Sequence, residues 1–218
     1  MMLPFENRVQ AGRRLGAALE SYSGSPDVTV LALARGGLPV GEQVAEIIKA
    51  PLDVFVVRKL GVPGREELAM GAIASGGIRF LNHRIIRAID ITEGEIEEAV
   101  RRETAELKRR EQAYRDGGRP EPLADRTVIL VDDGLATGAS MLAAVKAVRE
   151  RNPASVVVAV PVAPPEVCSR LEGAADRVIC LETPTPFEAV GAWYLDFPQT
   201  TDQEVREILR RTRQRENG

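Results

Sequence analysis

The stretch VILVDDGLATGAS, Val128 to Ser140, decides the fold. Its first four residues, Val128 to Val131, are branched and apolar, the pattern of a short strand buried on both faces. Asp132 and Asp133 follow at the C-terminal edge of that strand, where open α/β sheets place their ligands. Small residues come next, Gly134-Leu135-Ala136-Thr137-Gly138-Ala139-Ser140, leading into the helical pattern MLAAVKAVRE. Such a loop lets main-chain N–H groups converge on one anion while the helix N-terminus adds partial positive charge. The hydroxyls of Thr137 and Ser140 supply further donors. The two acids suit another part of the same ligand, because neighbouring carboxylates accept hydrogen bonds from both hydroxyls of a ribose cis-diol. A diol clamp followed by a phosphate cradle describes a ribose 5-phosphate. The segment matches neither G-x-x-x-x-G-K-[ST] nor G-x-G-x-x-G, which sets aside a P-loop and a dinucleotide fingerprint.

Working outward, strand-like runs alternate with helical patterns. The runs are VTVLALA (28–34), DVFVVRKL (53–60), SVVVAVPV (155–162) and RVICL (177–181), with helical patterns over 38–49, 139–150 and 165–172. This alternation predicts an α/β fold with a doubly wound, mostly parallel sheet. A helix over about 8–20 packs against it, and a last helix is capped by Thr201 with Glu204. Two segments stand apart. IRFLNHRIIRAI (78–89) reads as two short strands about a turn at Asn82-His83. A charged helix over 93–116 starts at a capping box of Thr92 and Glu95, with Ile91 and Ile96 as a hydrophobic staple, and stops at Gly117-Gly118. Glu97–Arg101, Glu98–Arg102, Glu106–Arg110 and Glu111–Arg115 have the favourable i,i+4 order. Its thin apolar stripe of Ile96, Val100, Leu107 and Tyr114 suits a solvated helix lying on the domain, with a dimer contact as the alternative.

The 218 residues suit one domain, with a core over about 25–182, an insertion over 78–118 and a hood over 183–200. A net charge of −3, with acids interleaved among the arginines, argues against nucleic acid as a partner. The single histidine, His83, leaves no His-rich metal site and no His-based triad. Cys168 and Cys180 lack a C-x-x-C pattern and read as reduced thiols of a cytoplasmic protein. MMLPFENRVQ lacks the charged-then-apolar start of a secretion signal, and no apolar run approaches the ~20 residues that span a bilayer.

Two more segments carry candidate chemistry. ALARGG (32–37) ends the first strand with Arg35 and then two glycines before a helix, a second place where amides and a guanidinium can meet an anion. Arg58 and Lys59 close the second strand, and GVPGREELAMGAIASGG (61–77) reads as a glycine-rich mobile lid.

VILVDDGLATGAS resembles the signature of type I phosphoribosyltransferases that binds 5-phosphoribosyl-1-pyrophosphate (PRPP), most closely as adenine enzymes carry it. The resemblance covers roughly Val28 to Leu181 and implies the type I fold with a small C-terminal hood. It implies a PRPP site of Arg35, Gly36, Lys59, Asp132, Asp133, Gly134, Leu135, Ala136, Thr137, Gly138, Ala139 and Ser140. Arg35 and Gly36 would belong to the pyrophosphate loop, with a non-proline cis peptide at Ala34–Arg35. Lys59 and Arg35 would stabilise the departing pyrophosphate, Arg65 would join when the lid closes, and Asp132 and Asp133 would orient the ribose. Mg²⁺ would bridge ligand oxygens without a direct protein ligand, with Asp132 or Asp133 reaching it through water. The hood aromatics Phe187, Trp193 and Tyr194 would meet the acceptor, unless they and Phe197 only pack the hood's own core. The implied reaction transfers 5-phosphoribosyl to a nitrogen acceptor, a nucleobase foremost, and releases pyrophosphate; a PRPP-sensing binding protein is the alternative. Ala136 stands where 6-oxopurine enzymes carry an acid, which disfavours that acceptor class. Family members usually form dimers, so a homodimer is implied.

Overall fold

The computed structural model describes residues 4–115 and 120–216. Five strands make a parallel sheet in the order β2-β1-β6-β7-β8: β1 (Val28–Leu33), β2 (Leu52–Phe55), β6 (Thr127–Val131), β7 (Ser155–Val162) and β8 (Arg177–Glu182). Side chains alternate across the sheet with period two. Val30, Ala32, Ile129, Val131, Val157 and Ala159 enter one core, and Leu31, Leu33, Val128, Leu130, Val156 and Val158 enter the other. The first core is covered by α1 (Arg8–Ala18), α2 (Gly37–Ile48) and α7 (Asp202–Glu216), the second by α5 (Ala139–Arg149) and α6 (Pro165–Glu172). Both faces are therefore wrapped, which is why the central strands read as unbroken apolar runs.

The segment 53–60 is two strands rather than one. β2 joins the main sheet, Val56 marks the transfer, and β3 (Val57–Val62) opens a second, antiparallel sheet with β4 (Arg65–Ala74) and β5 (Ile78–Leu81). Ser75 fastens the transfer point, its Oγ accepting from the Val56 amide at 2.9 Å while its own amide donates to the Val56 carbonyl at 2.8 Å. Most of the glycine-rich segment 61–77 is thus a β-hairpin turning at Pro63-Gly64, not an irregular lid. The chain pairs residue by residue with its neighbour, apart from register shifts around Gly61.

After Leu81 the expected second strand is instead helix α3 (His83–Ile89). The Asn82 side chain accepts from the amides of Arg84 and Ile85 at 3.2 and 3.3 Å, so the apparent turn residue is a helix cap. Helix α4 (Glu93–Arg115) follows, started by the Thr92–Glu95 box, in which Thr92 N–H donates to Glu95 at 2.9 Å and Glu95 N–H to Thr92 at 3.3 Å. Its stop at Gly117-Gly118 lies outside the described residues. Of the four expected pairs, Glu106–Arg110 (2.7 Å) and Glu111–Arg115 (3.2 Å) form. Glu98 meets Arg101 instead, and Glu97 reaches across to Arg79 on β5 at 2.5 Å. Tertiary anchors outrank the local pairs: Glu103 holds Arg58 at 2.6 Å, and Arg115 holds the buried Asp53 at 3.2 Å.

Cys168 on α6 and Cys180 on β8 form a disulfide, correcting the expectation of two reduced thiols. Helix α6 crosses back over the sheet beside β8, bringing their Cα atoms to 6.8 Å, a proximity that the sequence spacing does not display. Among the described residues, no helix is long and apolar enough to cross a membrane.

Candidate active site

Strands β1 and β6 are neighbours, but the chain leaves β1 toward β2 on one side and leaves β6 toward β7 and β8 on the other. Their C-terminal ends therefore flank the point where strand order reverses, the crevice in which open α/β sheets take ligands. Two loops rise there. The first contains a cis peptide between Ala34 and Arg35, then Gly36 before α2. The second begins at Asp132 and Asp133. The loops touch: a Cβ on Gly36 would lie 2.1 Å from Asp133 Oδ2, so only glycine leaves the carboxylate its place.

Each acid accepts a hydrogen bond on one oxygen, and the two carboxyls also meet each other. Asp132 Oδ1 accepts from the Asp133 amide at 2.9 Å, and Asp133 Oδ2 accepts from Arg8 Nε at 2.8 Å. Burial pushes the Asp132 carboxyl well above the ordinary range, helped by the negative charge of Asp133. Burial also raises Asp133, with the Arg8 guanidinium opposing it. Two crowded, desolvated carboxylates favour any partner that brings hydrogen-bond donors without bringing negative charge, and a cis-diol is such a partner.

Beyond the acids, Leu135 N–H donates to the Val162 carbonyl at 2.9 Å, seating the loop on β7. Gly138 takes the left-handed conformation (φ 67°) that turns the chain into α5. Thr137 Oγ1 accepts from the Ala139 amide at 3.4 Å, which leaves its hydroxyl proton free to donate outward. Its carbonyl is held by Arg170 from α6. Among the described residues, the amides of Ala136, Thr137 and Gly138 have no protein acceptor. Thr137 and Ala136 are exposed, so this cradle faces solvent at a helix N-terminus.

A cavity of ≈ 500 Å³ opens between the loops and the hood. Arg8, Arg35, Gly36 and Asp133 line one side, and Val190, Phe197, Pro198, Gln199 and Thr200 the other. Arg35 lies 3.5 Å from Asp202 on α7, whose carboxylate also accepts the Tyr114 hydroxyl at 2.7 Å. That hydrogen bond holds Asp202 below the usual carboxylate range, while burial pushes the Tyr114 phenol up to about 12. The structure thus brings Arg35, Gly36 and Asp133 to one cavity, with Asp132 beside them.

It does not bring every expected residue there. Lys59 is exposed on β3, outside the cavity wall, and Arg65 is exposed at the start of β4. In the hood, Phe187 stacks on Trp193 at 6.5 Å, and Tyr194 lies between Phe5 (5.5 Å) and Phe197 (4.9 Å). Tyr194 is 6% exposed and donates its hydroxyl to the Asp133 carbonyl at 2.6 Å. The hood presents Val190 and the stretch from Phe197 to Thr200 to the cavity instead. Arg8 gives no signal in the sequence, since it stands in an ordinary helix 125 residues from its partner.

Comparison with known proteins identifies the family. The family model of the phosphoribosyl transferase domain matches residues 5–196. Two Mycobacterium tuberculosis proteins, from strains CDC 1551 and H37Rv and each named "Putative phosphoribosyl transferase", are 45% identical over 207 residues. That match covers 95% of this chain and 46% of theirs, so the chain spans about half the length of those relatives. The crystal structure of TT1426 from Thermus thermophilus superposes with a TM-score of 0.83 at 42% identity, covering 95% of this chain and 98% of that one. A hypoxanthine-guanine phosphoribosyltransferase from Bacillus anthracis shares the fold at a TM-score of 0.50 and 11% identity, over 85% of each chain. With the family model matching most of the chain, the protein belongs to the phosphoribosyltransferase family.

Proposed function

We propose that the protein transfers the 5-phosphoribosyl group of PRPP to a nitrogen acceptor, with release of pyrophosphate. The observation that carries this reading is the contact between the two loops across one cavity, with Gly36 against the Asp133 carboxylate. A ligand with a phosphate at one end, a diol in the middle and a pyrophosphate at the other meets a suitable group at each point. The amides of Ala136 to Gly138 and the hydroxyls of Thr137 and Ser140 take the 5-phosphate. Asp132 and Asp133 accept from the ribose hydroxyls. Arg35 and the amides near Gly36 take the pyrophosphate and stabilise it as it leaves. Lys59 would join them only if the β3–β4 hairpin bent toward the crevice, which would also exclude water from C1 of the sugar.

The paired carboxylates of Asp132 and Asp133 are hard oxygen donors at the crevice. Such a donor set suits a Mg²⁺ that arrives with PRPP and meets one of the acids through water. The ion would supply charge neutralisation for the pyrophosphate. Displacement at C1 forms the nitrogen–carbon bond as the carbon–oxygen bond to pyrophosphate breaks, so the chain's contribution is placement and charge rather than covalent chemistry.

For the acceptor, the hood offers Val190, Phe197, Gln199 and Thr200 at the cavity. A planar nucleobase suits that mixture of apolar wall and polar amide. Ala136, in place of an acid, points away from 6-oxopurines. In this reading the protein works as a homodimer, as the family resemblance implies.

The experiment is a panel of nucleobases and related nitrogen heterocycles, incubated with PRPP and Mg²⁺ and followed by pyrophosphate release. At least one acceptor should give turnover above the PRPP-only blank. PRPP binding with no turnover on any acceptor would replace the transferase with a PRPP-sensing protein.

A further inference from the structure

Arg8 lies on α1, far along the chain from both loops, yet it is 8% exposed and engages three groups. Its Nε donates to Asp133 Oδ2 at 2.8 Å, its Nη1 donates to the Pro198 carbonyl of the hood at 2.7 Å, and its guanidinium carbon sits 3.7 Å from the centroid of the Phe197 ring. Phe197 leans on Tyr194, and Tyr194 returns to Asp133 by donating to its carbonyl at 2.6 Å. The four residues close a ring that joins the hood to one acid of the crevice.

Stability alone is a poor explanation for this arrangement. Burying a guanidinium and a carboxylate costs desolvation that their attraction seldom more than offsets, and apolar replacements of such pairs are often neutral or better. The geometry has a different consequence. With Gly36 packed against Oδ2 and Arg8 bonded to the same atom, the Asp133 carboxylate is held in one orientation, with Oδ2 committed to the protein. The other guanidinium on the cavity wall, Arg35, is directed to Asp202. Without Arg8, Asp133 would be free to swing toward Arg35 and neutralise the group that meets pyrophosphate.

We propose that Arg8 is a positioning residue of the sugar site: it fixes the carboxylate of Asp133 for the ribose hydroxyl and ties that orientation to the seating of the hood. This rests on the phosphoribosyltransferase reading, and it adds a residue from outside both signature loops. The fork shape matters, since one guanidinium meets Asp133 and Pro198 at once while stacking on Phe197, which an ammonium cannot do.

The test uses calorimetric titration of PRPP with Mg²⁺ into the full chain, so no acceptor need be known. Wild type, Arg8→Ala, Arg8→Lys, Asp133→Asn and the Arg8→Ala/Asp133→Asn double variant are compared, with the thermal midpoint recorded for each. Arg8→Ala should bind PRPP at least about tenfold more weakly, millimolar guanidinium ion should restore most of the loss, and Arg8→Lys should fall between. Because Arg8 acts through Asp133, adding Arg8→Ala to Asp133→Asn should cost little further affinity. A folded Arg8→Ala protein with wild-type PRPP affinity, or full additivity in the double variant, overturns the proposal. If Arg8→Ala does not fold, Arg8→Lys decides the matter, and wild-type affinity in that variant refutes the need for a fork. A wild-type protein that ignores PRPP altogether brings down the transferase reading and this proposal together, an outcome distinct from all the others.

Discussion

Asp132 and Asp133 are adjacent acids with little solvent, and both carboxyls are displaced upward, Asp132 by burial and its neighbour's charge, Asp133 by burial against the pull of Arg8. In the proposed reading their ionised forms accept ribose hydroxyls, so PRPP affinity should fall as pH drops through a window above the ordinary carboxylate range, measured by titration at stepped pH. The stability linkage has the opposite sign. A folded-state pKa above the unfolded value means that the native state holds the proton longer, so stability declines as pH rises through that window. Asp132→Asn should therefore lift the thermal midpoint near neutrality and leave it unchanged in acid. The variant Asp132→Asn/Asp133→Asn should lose ~10²- to 10⁴-fold in PRPP affinity, the scale of two hydrogen bonds to charged groups at ~1.5–3 kcal/mol each. Unchanged PRPP affinity in that variant would remove the diol clamp from the argument.

At the scale of elements, α4 has a defined beginning. Thr92 and Glu95 exchange hydrogen bonds at its N-terminus, and Ile96 and Leu107 reach the core that α2 also covers. Thr92→Ala should cost ~1 kcal/mol by removing one reciprocal partner of the box, read as a shift in denaturant midpoint with unchanged slope. A cost near zero would show that the first turn frays without consequence. This helix is legible from its capping chemistry and its apolar spacing, both local signals. The strands of the main sheet are legible for a similar reason, because burial on both faces writes itself into continuous branched residues. The break at Val56 is not legible: Val54, Phe55, Val56 and Val57 are apolar on either side of it, and only long-range pairing with β1 or with β4 decides which sheet each joins. Asn82 reads as a turn residue because a capping asparagine and a turn asparagine look the same until the next turn of helix is seen.

For the whole molecule, the candidate site divides along similar lines. Both crevice loops can be placed from sequence, since their chemistry depends on neighbouring residues. Arg8 and Asp202 cannot, because each acts on a loop from a distant element, and neither can Tyr114, which reaches Asp202 from α4; the fold alone brings them near. The Cys168–Cys180 bond belongs to that class too. It closes a short loop between α6 and β8, with a sequence separation of 12, and α6 carries the arginine that holds the Thr137 carbonyl. Reduction, or Cys168→Ser, should lower stability by up to about 3 kcal/mol on the loop-entropy scale, roughly 6–12 °C in thermal midpoint. Identical melting of the reduced and oxidised protein would show that packing holds α6 without the bond.

The segment ahead of α1 is bound to the hood through its backbone. Phe5 donates its amide to the Trp193 carbonyl at 2.8 Å, its own carbonyl receives the Leu195 amide at 2.8 Å, and Asp196 N–H donates to the Glu6 carbonyl at 2.9 Å. These residues are stitched to the hood like an added strand. A substitution that loosens this backbone pairing would therefore be felt at the hood side of the cavity, even though Phe5 and Glu6 are not on its wall.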